Sequence, residues 1–174
     1  ASKGMTISMV GLPAHASEPE KGRNPAFAIA KIIDSIPTLI QGKYKGMVLC
    51  TVIQVNIGER AFGVSAHKGE ILLTIRALYE SEMLELQTKL EKIAKEQAEI
   101  YGLKVQFAYN DAFPDTTNHK ESADKVRKVS KILGLELIEM EEAFRGSEDF
   151  GHYLKETKGA IFYIGNGEDY CHLH

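Results

Sequence analysis

Two imidazoles and a thiol lie within four residues at the end of the sequence, which reads DYCHLH. Cys171, His172 and His174 carry side chains that commonly bind zinc and other transition metals. A catalytic zinc ion usually takes three protein ligands, and few further ligands lie nearby in the sequence. Position alone therefore favours ordinary loop residues for Cys171 and His172, and it leaves open which residues would complete a site around His174.

Other residues with chemical potential lie on loops and on a predicted strand. His15 lies in GLPAHASEP, and Arg76 ends the run TIR. A lone loop histidine is usually a surface residue, and an arginine on a strand is more often solvated or ion-paired than bound to a ligand. Gly146 and Ser147 lie where a helix is predicted to begin, so their amides could meet an anion at its positive end, although an ordinary N-cap by Ser147 explains them equally.

The first part of the chain contains the elements that must position His15 and Arg76. MTISMV and LKVQFAY alternate apolar and polar residues with the period of a half-buried strand, and MVLCTVIQVNI and EILLTIRALY are β-rich runs joined by a glycine-containing loop. One helix is predicted from an Asn24 cap, with Pro25 at its first position, to Pro37. A longer helix is predicted from Ser81 to Gly102. The order βαββαβ is that of an α+β ferredoxin-like fold.

The pattern changes near Asn110, which predicts two domains, 1–109 and 110–174. Beyond a polar connection we expect a helix from about Ser122, a short strand LELIEM, a helix beginning near Ser147 and a strand AIFYIG. AIFYIG is apolar on both faces, which is typical of a strand buried in a mainly parallel sheet. Because two strands cannot build such a sheet alone, the second part is predicted to be an incomplete piece of an α/β domain.

The segment GLPAHASEPEKGRNPAFAIAKII carries a motif at fixed spacing, namely Gly11, Ala14-His15, Pro19, Gly22 and Asn24-Pro25. It resembles the start of the lid, or dimerisation, domain of the zinc-dependent aminoacylase/carboxypeptidase-G family of metallopeptidases. The amidohydrolase branch of that family includes N-acyl-amino-acid amidohydrolases, hippurate hydrolases and auxin-conjugate hydrolases. The resemblance implies that residues 1–109 are a lid domain that forms a homodimer, and that His15 is a catalytic residue that stabilises the oxyanion in the partner's active site.

A second block, TVIQVNIGERAFGVSAHKGEILLTIRA, is similar to two lid strands of the same family, with Gly58 and Ala61 at the usual spacing. The resemblance implies that Arg76 holds a substrate carboxylate, a role for which a bidentate guanidinium is suited. Strand alternation places Arg76 on the face opposite Ile71, Leu73 and Ile75. The sequence departs from the family pattern at 63–66, where Gly-Val-Ser-Ala replaces Asn-Val-Ile-Pro and the asparagine that helps to bind substrate is absent.

A third block, FRGSEDFGHYLKETKGAIFYIGNGEDYCHLH, is similar to the amidohydrolase branch in its order of a SEDF-like helix, an apolar strand ending in glycine, and a Leu-His pair. By the resemblance, that histidine, His174, is a metal ligand, and the amides of Gly146 and Ser147 help to bind substrate. The remaining ligands of the family are a His-x-Asp, a bridging Asp and a Glu-Glu pair from a half of the catalytic domain that precedes the lid. The sequence contains no such His-x-Asp, and Glu141-Glu142 follows a predicted strand.

The resemblance therefore implies two zinc ions in the full-length enzyme, with Mn²⁺ or Co²⁺ as other divalent ions that such a site takes. The expected function is hydrolysis of the amide bond of N-acyl-amino acids or small peptide-like substrates, with the 174-residue chain inactive by itself. Two alternatives are a non-catalytic ferredoxin-like dimerisation or binding module and an RNA-binding sheet. The second requires aromatic and basic residues on the central strands, which are aliphatic here.

Composition excludes several other classes of protein. The chain has 21 basic and 24 acidic residues, a net charge of −3 and no basic run, so no nucleic-acid partner is expected. No apolar stretch approaches the roughly 20 residues that span a bilayer, and the first residues do not resemble a signal peptide, so no membrane partner is expected. The two cysteines suit a reducing compartment, which favours a cytoplasmic location.

Overall fold

A computed structural model describes residues 1–165, which fall into two compact units. The first unit comprises Ala1–Asp115, and the second begins at Thr116. Among the described residues, no helix is both long enough and apolar enough to cross a membrane.

The first unit is a four-stranded antiparallel sheet with two helices packed on one face. Its strand order is β2-β3-β1-β4, so the first and third strands of the sequence are central. The elements follow the predicted βαββαβ order and confirm the ferredoxin-like fold: β1 Ser2–Val10, α1 Ala26–Ile40, β2 Val48–Ile57, β3 Lys68–Ala77, α2 Glu80–Ile100 and β4 Lys104–Phe113.

The core lies between the sheet and the two helices. Strand alternation buries every second residue of the central strands, and the 3.6-residue period of each helix buries one stripe. Each buried aliphatic side chain contributes about 1.5–3 kcal/mol. The largest fully buried apolar side chains of this core are Met5, Ile7, Met9, Ile29, Ile32, Ile71, Leu73, Ile75, Met83, Leu86 and Leu90.

The ends of α1 differ in part from expectation. Asn24 caps the helix as predicted, because its Oδ1 accepts the backbone N–H of Ala26 at 2.9 Å. The predicted end at Pro37 is wrong, since α1 continues to Ile40. A proline inside a helix removes one backbone hydrogen bond, but Ile36 is 5% exposed in the core, and this packing holds the last turn in place.

The end of α2 is set by Gly102, as the sequence predicts. Gly102 has φ +63°, in the left-handed region that favours glycine. Its N–H donates to the carbonyl of Glu99 at 3.1 Å, and the N–H of Leu103 donates to the carbonyl of Ala98 at 2.7 Å. These two bonds form a Schellman motif, which satisfies carbonyls that the helix end would otherwise leave unpaired. The N-cap of α2 is Tyr79, two residues before the predicted Ser81, and the helix begins at Glu80.

The second unit contains helices but no strand among residues 116–165. Its helices are α3 Lys120–Ile132 and α4 Phe150–Glu156. The strands predicted at LELIEM and AIFYIG do not form, because a strand needs a neighbouring strand for its backbone hydrogen bonds. Part of AIFYIG bonds instead to a side chain: Asn118 accepts the N–H of Ile161 and donates to its carbonyl, both at 2.8 Å.

The boundary between the units falls later than residue 109. The strand that the sequence predicts to end at Tyr109 continues to Phe113, and the first compact unit ends at Asp115. The chain in this stretch includes Asp111 at φ +49°. Helix α4 begins at Phe150, three residues after Ser147.

Candidate functional site

His15 lies on the loop between β1 and α1, and backbone hydrogen bonds attach this loop to the one between β2 and β3. The N–H of Ala16 donates to the carbonyl of Gly63 at 3.0 Å, and the N–H of Ser65 donates to the carbonyl of Ala14 at 2.9 Å. Ser65 Oγ also accepts the N–H of Ala14 at 3.0 Å. The backbone is therefore fixed by hydrogen bonds at the residues before and after His15, although the His15 side chain itself is exposed.

Local hydrogen bonds fix which nitrogen of the His15 ring is available as a donor. Nδ1 accepts the backbone N–H of Ser17 at 3.2 Å and lies 2.6 Å from Ser17 Oγ. A backbone N–H can only donate, so Nδ1 carries the lone pair and the neutral ring holds its proton on Nε2. The exposed ring thus presents an Nε2–H donor, which is the group that oxyanion stabilisation requires.

The loop residues next to His15 leave open space at position 63. A Cβ added at Gly63 would meet no atom within 4 Å, so a side chain fits there without displacing a neighbour. The preceding residue, Phe62, is 97% exposed. The absence of a side chain at position 63 therefore leaves an open surface there.

A cleft of about 570 Å³ adjoins this loop on the outer face of the sheet, the face opposite the helices. Its lining includes Ser8, Asn56 and Glu70 from the strands and Ser65 and His67 from the β2–β3 loop. Ser65 is also the residue that bonds to the His15 loop. The cleft and His15 consequently lie at the same end of the sheet.

Arg76 lies at the other end of the same sheet. It is half-buried on the outer face, between Ser2 of β1 and Leu49 of β2, as strand alternation predicts. Eight residues of β3 separate it from Lys68, the first residue after the loop, which corresponds to about 27 Å of strand. The structure therefore does not bring His15 and Arg76 of one chain together.

Gly146 and Ser147 belong to the second unit and lie in the loop that precedes α4. Because α4 begins at Phe150 and has seven residues, neither lies in its first turn. A Cβ on Gly146 would come within 2.2 Å of the Phe144 ring, so a side chain at this position would have to displace that ring. Their role in substrate binding stays a prediction.

The described residues do not supply a metal centre. No group of three His, Cys, Asp or Glu side chains within residues 1–165 is arranged to hold an ion. The predicted ligand His174 lies outside the described residues, as do Cys171 and His172.

Sequence reasoning missed Ser17, which contacts the His15 ring, and the residues that line the adjoining cleft. The Ser17 contact had a local signal, because a serine two residues after a loop histidine is able to reach its ring. Glu70 and Asn56 had no such signal, because strand pairing alone brings them to one cleft.

Comparison with known proteins identifies the class of this chain. Residues 1–102 match the family model described as the peptidase dimerisation domain, M20_dimer. The chain belongs to this family, and the resemblance carried by the His15 segment is confirmed.

Curated relatives extend the similarity over the rest of the chain. A putative amidohydrolase, YhaA of Bacillus subtilis, is 22% identical over 100% of this chain and 46% of its own length. Hippurate hydrolase of Campylobacter jejuni is 25% identical over 100% of this chain and 46% of its own. N-acetyldiaminopimelate deacetylase of Exiguobacterium sibiricum is 26% identical over 97% of this chain and 45% of its own. The chain thus spans a little under half the length of these relatives.

Solved structures share the fold at lower identity. A putative aminohydrolase from methicillin-resistant Staphylococcus aureus superposes with a TM-score of 0.78 at 22% identity, covering 91% of this chain and 41% of that one. Aminopeptidase PepT of Bacillus cereus gives 0.74 at 16% identity, covering 91% and 42%. These similarities show that this chain shares the fold of the matching parts of both structures.

Proposed function

We propose that this chain is the dimerisation domain, with an adjoining part of the catalytic domain, of a metal-dependent amidohydrolase. The full-length enzyme would hydrolyse the amide bond of N-acyl-amino acids or small peptide-like substrates. The observation that carries the proposal is the match of residues 1–102 to a peptidase dimerisation domain within a chain that hydrolase relatives cover completely. Zinc, or Mn²⁺ or Co²⁺ in its place, would be held by His174 together with ligands outside the described residues and would activate water.

His15 is proposed to stabilise the oxyanion of the tetrahedral intermediate. Its ring is exposed, its loop is bonded to a neighbouring loop, and its Nε2–H is the available donor. A positioned donor of this kind acts on charge that develops in the transition state, and its loss typically lowers kcat by about 100- to 1,000-fold. The side chain contributes little to the core, so folding should be almost unaffected by its removal.

The separation of His15 and Arg76 supports a composite active site. About 27 Å of strand lies between Lys68 and Arg76, which is far longer than a small N-acyl-amino acid. If both residues contact one substrate, one chain supplies His15 and its partner supplies Arg76. A homodimer that joins two such chains meets this requirement.

The β2 edge is the proposed dimer contact. β2 is an edge strand, and its middle is apolar and accessible, with Val52 38%, Ile53 59% and Val55 41% exposed. An exposed apolar edge readily pairs with a second strand. The opposite edge, β4, begins with the exposed Lys104 and is irregular at Asp111, features that disfavour pairing.

The test is subunit complementation in the full-length protein. His15→Ala should remain dimeric and metal-loaded while kcat for N-acetyl- or N-benzoyl-amino acids falls about 100- to 1,000-fold. His174→Ala should be inactive because a metal ligand is lost. Mixing the two variants should restore part of the activity, because one site in each heterodimer keeps an intact lid histidine and an intact metal site. Near wild-type kcat in His15→Ala, or no recovery after demonstrated subunit exchange, would contradict the composite site.

A further inference from the structure

The outer-face cleft contains a carboxylate group that no residue described by the structure neutralises. Glu70 is half-buried on β3 and lines the cleft of about 570 Å³. Within residues 1–165 its carboxylate forms no hydrogen bond or ion pair, although Lys68 lies on the same face of the same strand. A partly desolvated charge is costly unless a group of opposite charge or a hydrogen-bond donor accompanies it.

Other partly or fully buried carboxylates of the first unit accept hydrogen bonds from within the protein. Glu82 accepts the backbone N–H groups of Lys45 and Gly46. Glu91 accepts hydrogen bonds from Tyr109 and Gln87. The fold thus satisfies these acids internally, whereas Glu70 faces the cleft.

Strand register places one polar side chain on each side of Glu70, and each has an oxygen that can accept a hydrogen bond. Glu70 lies directly opposite Asn56 of β2 and directly opposite Ser8 of β1. All three point to the outer face, because the neighbouring residues Met9 and Ile71 point into the core. Side chains of directly paired residues lie about 4.5–5.5 Å apart at Cβ, so the three polar groups form one continuous row.

We propose that this cleft binds a primary ammonium group, with Glu70 as its counter-ion. An ammonium group has three N–H donors and no acceptor. The Glu70 carboxylate, the Asn56 Oδ1 and the Ser8 Oγ supply one acceptor for each donor. Inorganic anions and carboxylates alone do not fit this row, because Glu70 repels them.

The ammonium group has two chemical sources, a simple amine and a free α-amino acid. Lys68 also lines the cleft, two residues from Glu70 and on the same face of β3. An α-amino acid would place its carboxylate near the Lys68 ammonium and its own ammonium on Glu70, whereas a simple amine would use Glu70 alone. Glu59 and His67 also line the cleft, but they do not distinguish a simple amine from an α-amino acid.

The position of the cleft connects it with the proposed reaction. Val64 and Ser65 line the cleft, and Ser65 bonds to the loop of His15. A substrate that reaches His15 could therefore place a free ammonium group, remote from its scissile amide, on Glu70. Assigning the ammonium group to a substrate rests on the proposed function, but the binding itself does not.

The experiment is a ¹H–¹⁵N NMR titration of the 174-residue chain with n-propylammonium, L-alanine and propionate, at constant pH and ionic strength. Both ammonium compounds should shift the amide signals of Ser8, Asn56 and Glu70 in a saturable way, and propionate should not. Glu70→Gln keeps the shape but removes the charge, so it should weaken binding by at least about tenfold. Glu99→Gln, an exposed glutamate on α2 outside the cleft, is the matched control and should bind like wild type.

The outcomes separate the two sources and the two proposals. If L-alanine binds more tightly than n-propylammonium and Lys68→Gln removes the difference, the ligand is a free amino acid group. Equal affinities identify a simple amine. Non-saturable shifts, or equal binding by Glu70→Gln in a chain with an unchanged spectrum, would overturn the ammonium site. Because no activity is measured, the cleft assignment survives if the full-length protein proves not to be an amidohydrolase, and the reverse is also true.

Discussion

The two units of this chain differ in whether each contains the partners that its own elements need. In the first unit, both central strands have neighbours on each side and two helices cover one face. In the second unit, the described residues form two helices, and many large apolar side chains around α3 are exposed. These include Val129, Ile132, Leu133, Leu135, Leu137, Ile138 and Met140. A pattern of apolar residues therefore produces a strand or a core only where the complementary element is present.

Two segments of similar composition show this difference directly. EILLTIRALY and AIFYIG are both rich in apolar and β-forming residues. Residues 70–77 of the first segment lie in β3, between β1 and β2, whereas the second forms no strand in the part of the chain that the structure describes. Backbone groups in an extended segment need partners, and a strand forms where a sheet supplies them.

The largest expected effect concerns catalysis. The purified 174-residue chain should show no turnover of N-acetyl- or N-benzoyl-amino acids, because a catalytic zinc usually takes three protein ligands and neither unit presents such a group within residues 1–165. The measurement is amino acid release with and without added Zn²⁺. Turnover that a chelator abolishes would show that this chain alone assembles a metal site.

Replacing an aliphatic residue by alanine should lower the free energy of unfolding by several kcal/mol in the core of the first unit and hardly at all in the second unit. Leu90 is 0% exposed in the first-unit core, and Leu90→Ala should lower the free energy of unfolding by about 2–5 kcal/mol. Ile132 is 72% exposed on α3, and Ile132→Ala should change it by less than about 0.5 kcal/mol. Urea denaturation followed by circular dichroism measures both. Equal losses would mean that Ile132 is packed in solution.

A smaller effect on stability is expected from substituting the glycines that end α2 and α3, which form a matched pair. Gly102 and Gly134 both have positive φ, at +63° and +66°, and both donate in a Schellman motif. An alanine at such a position costs about 1–2 kcal/mol locally. Gly102→Ala should lower the midpoint of the main unfolding transition, because α2 packs on the core, and its Cβ would also press on the Arg23 side chain at 3.2 Å. Gly134→Ala should leave that transition in place, since α3 has no buried residue. A reversed order would contradict the comparison.

The smallest expected effect is the contribution of one hydrogen-bonded pair in the first unit, Tyr109 and Glu91, to the pH dependence of stability. Partial burial, followed by a hydrogen bond to Glu91, raises the pKa of Tyr109 to about 12. The hydrogen bonds that Tyr109 and Gln87 donate to Glu91 lower the pKa of that carboxyl group. Tyr109 therefore contributes stability that is present below pH 10 and is lost as pH rises towards 12, and Glu91 contributes stability that is lost as pH falls through its lowered pKa.

Ultraviolet absorbance should show one tyrosine that titrates near pH 12, and Glu91→Gln should lower that pKa. The stability difference between wild type and Tyr109→Phe should shrink in acid, when Glu91 is protonated. A tyrosine pKa that does not respond to Glu91→Gln would show that the hydrogen bond is absent in solution.

The sequence by itself determined the local elements and the family of the first unit. Period-two alternation in MTISMV and EILLTIRALY predicted which residues of β1 and β3 are buried, and Gly102 predicted the end of α2. The spaced motif around His15 predicted the dimerisation domain that residues 1–102 match. These signals are local, since each depends on residues within one element or one loop. The roles of His15, Arg76, Gly146, Ser147 and His174 stay predictions.

Only the tertiary structure decided which distant residues meet. The order β2-β3-β1-β4 placed Glu70 between Asn56 and Ser8, and it separated His15 from Arg76 by the length of the sheet. The attachment of the His15 loop to Ser65 likewise joins residues 51 positions apart. Such contacts depend on the pairing and register of the whole sheet, which the packing of both helices on one face stabilises and which no single segment encodes.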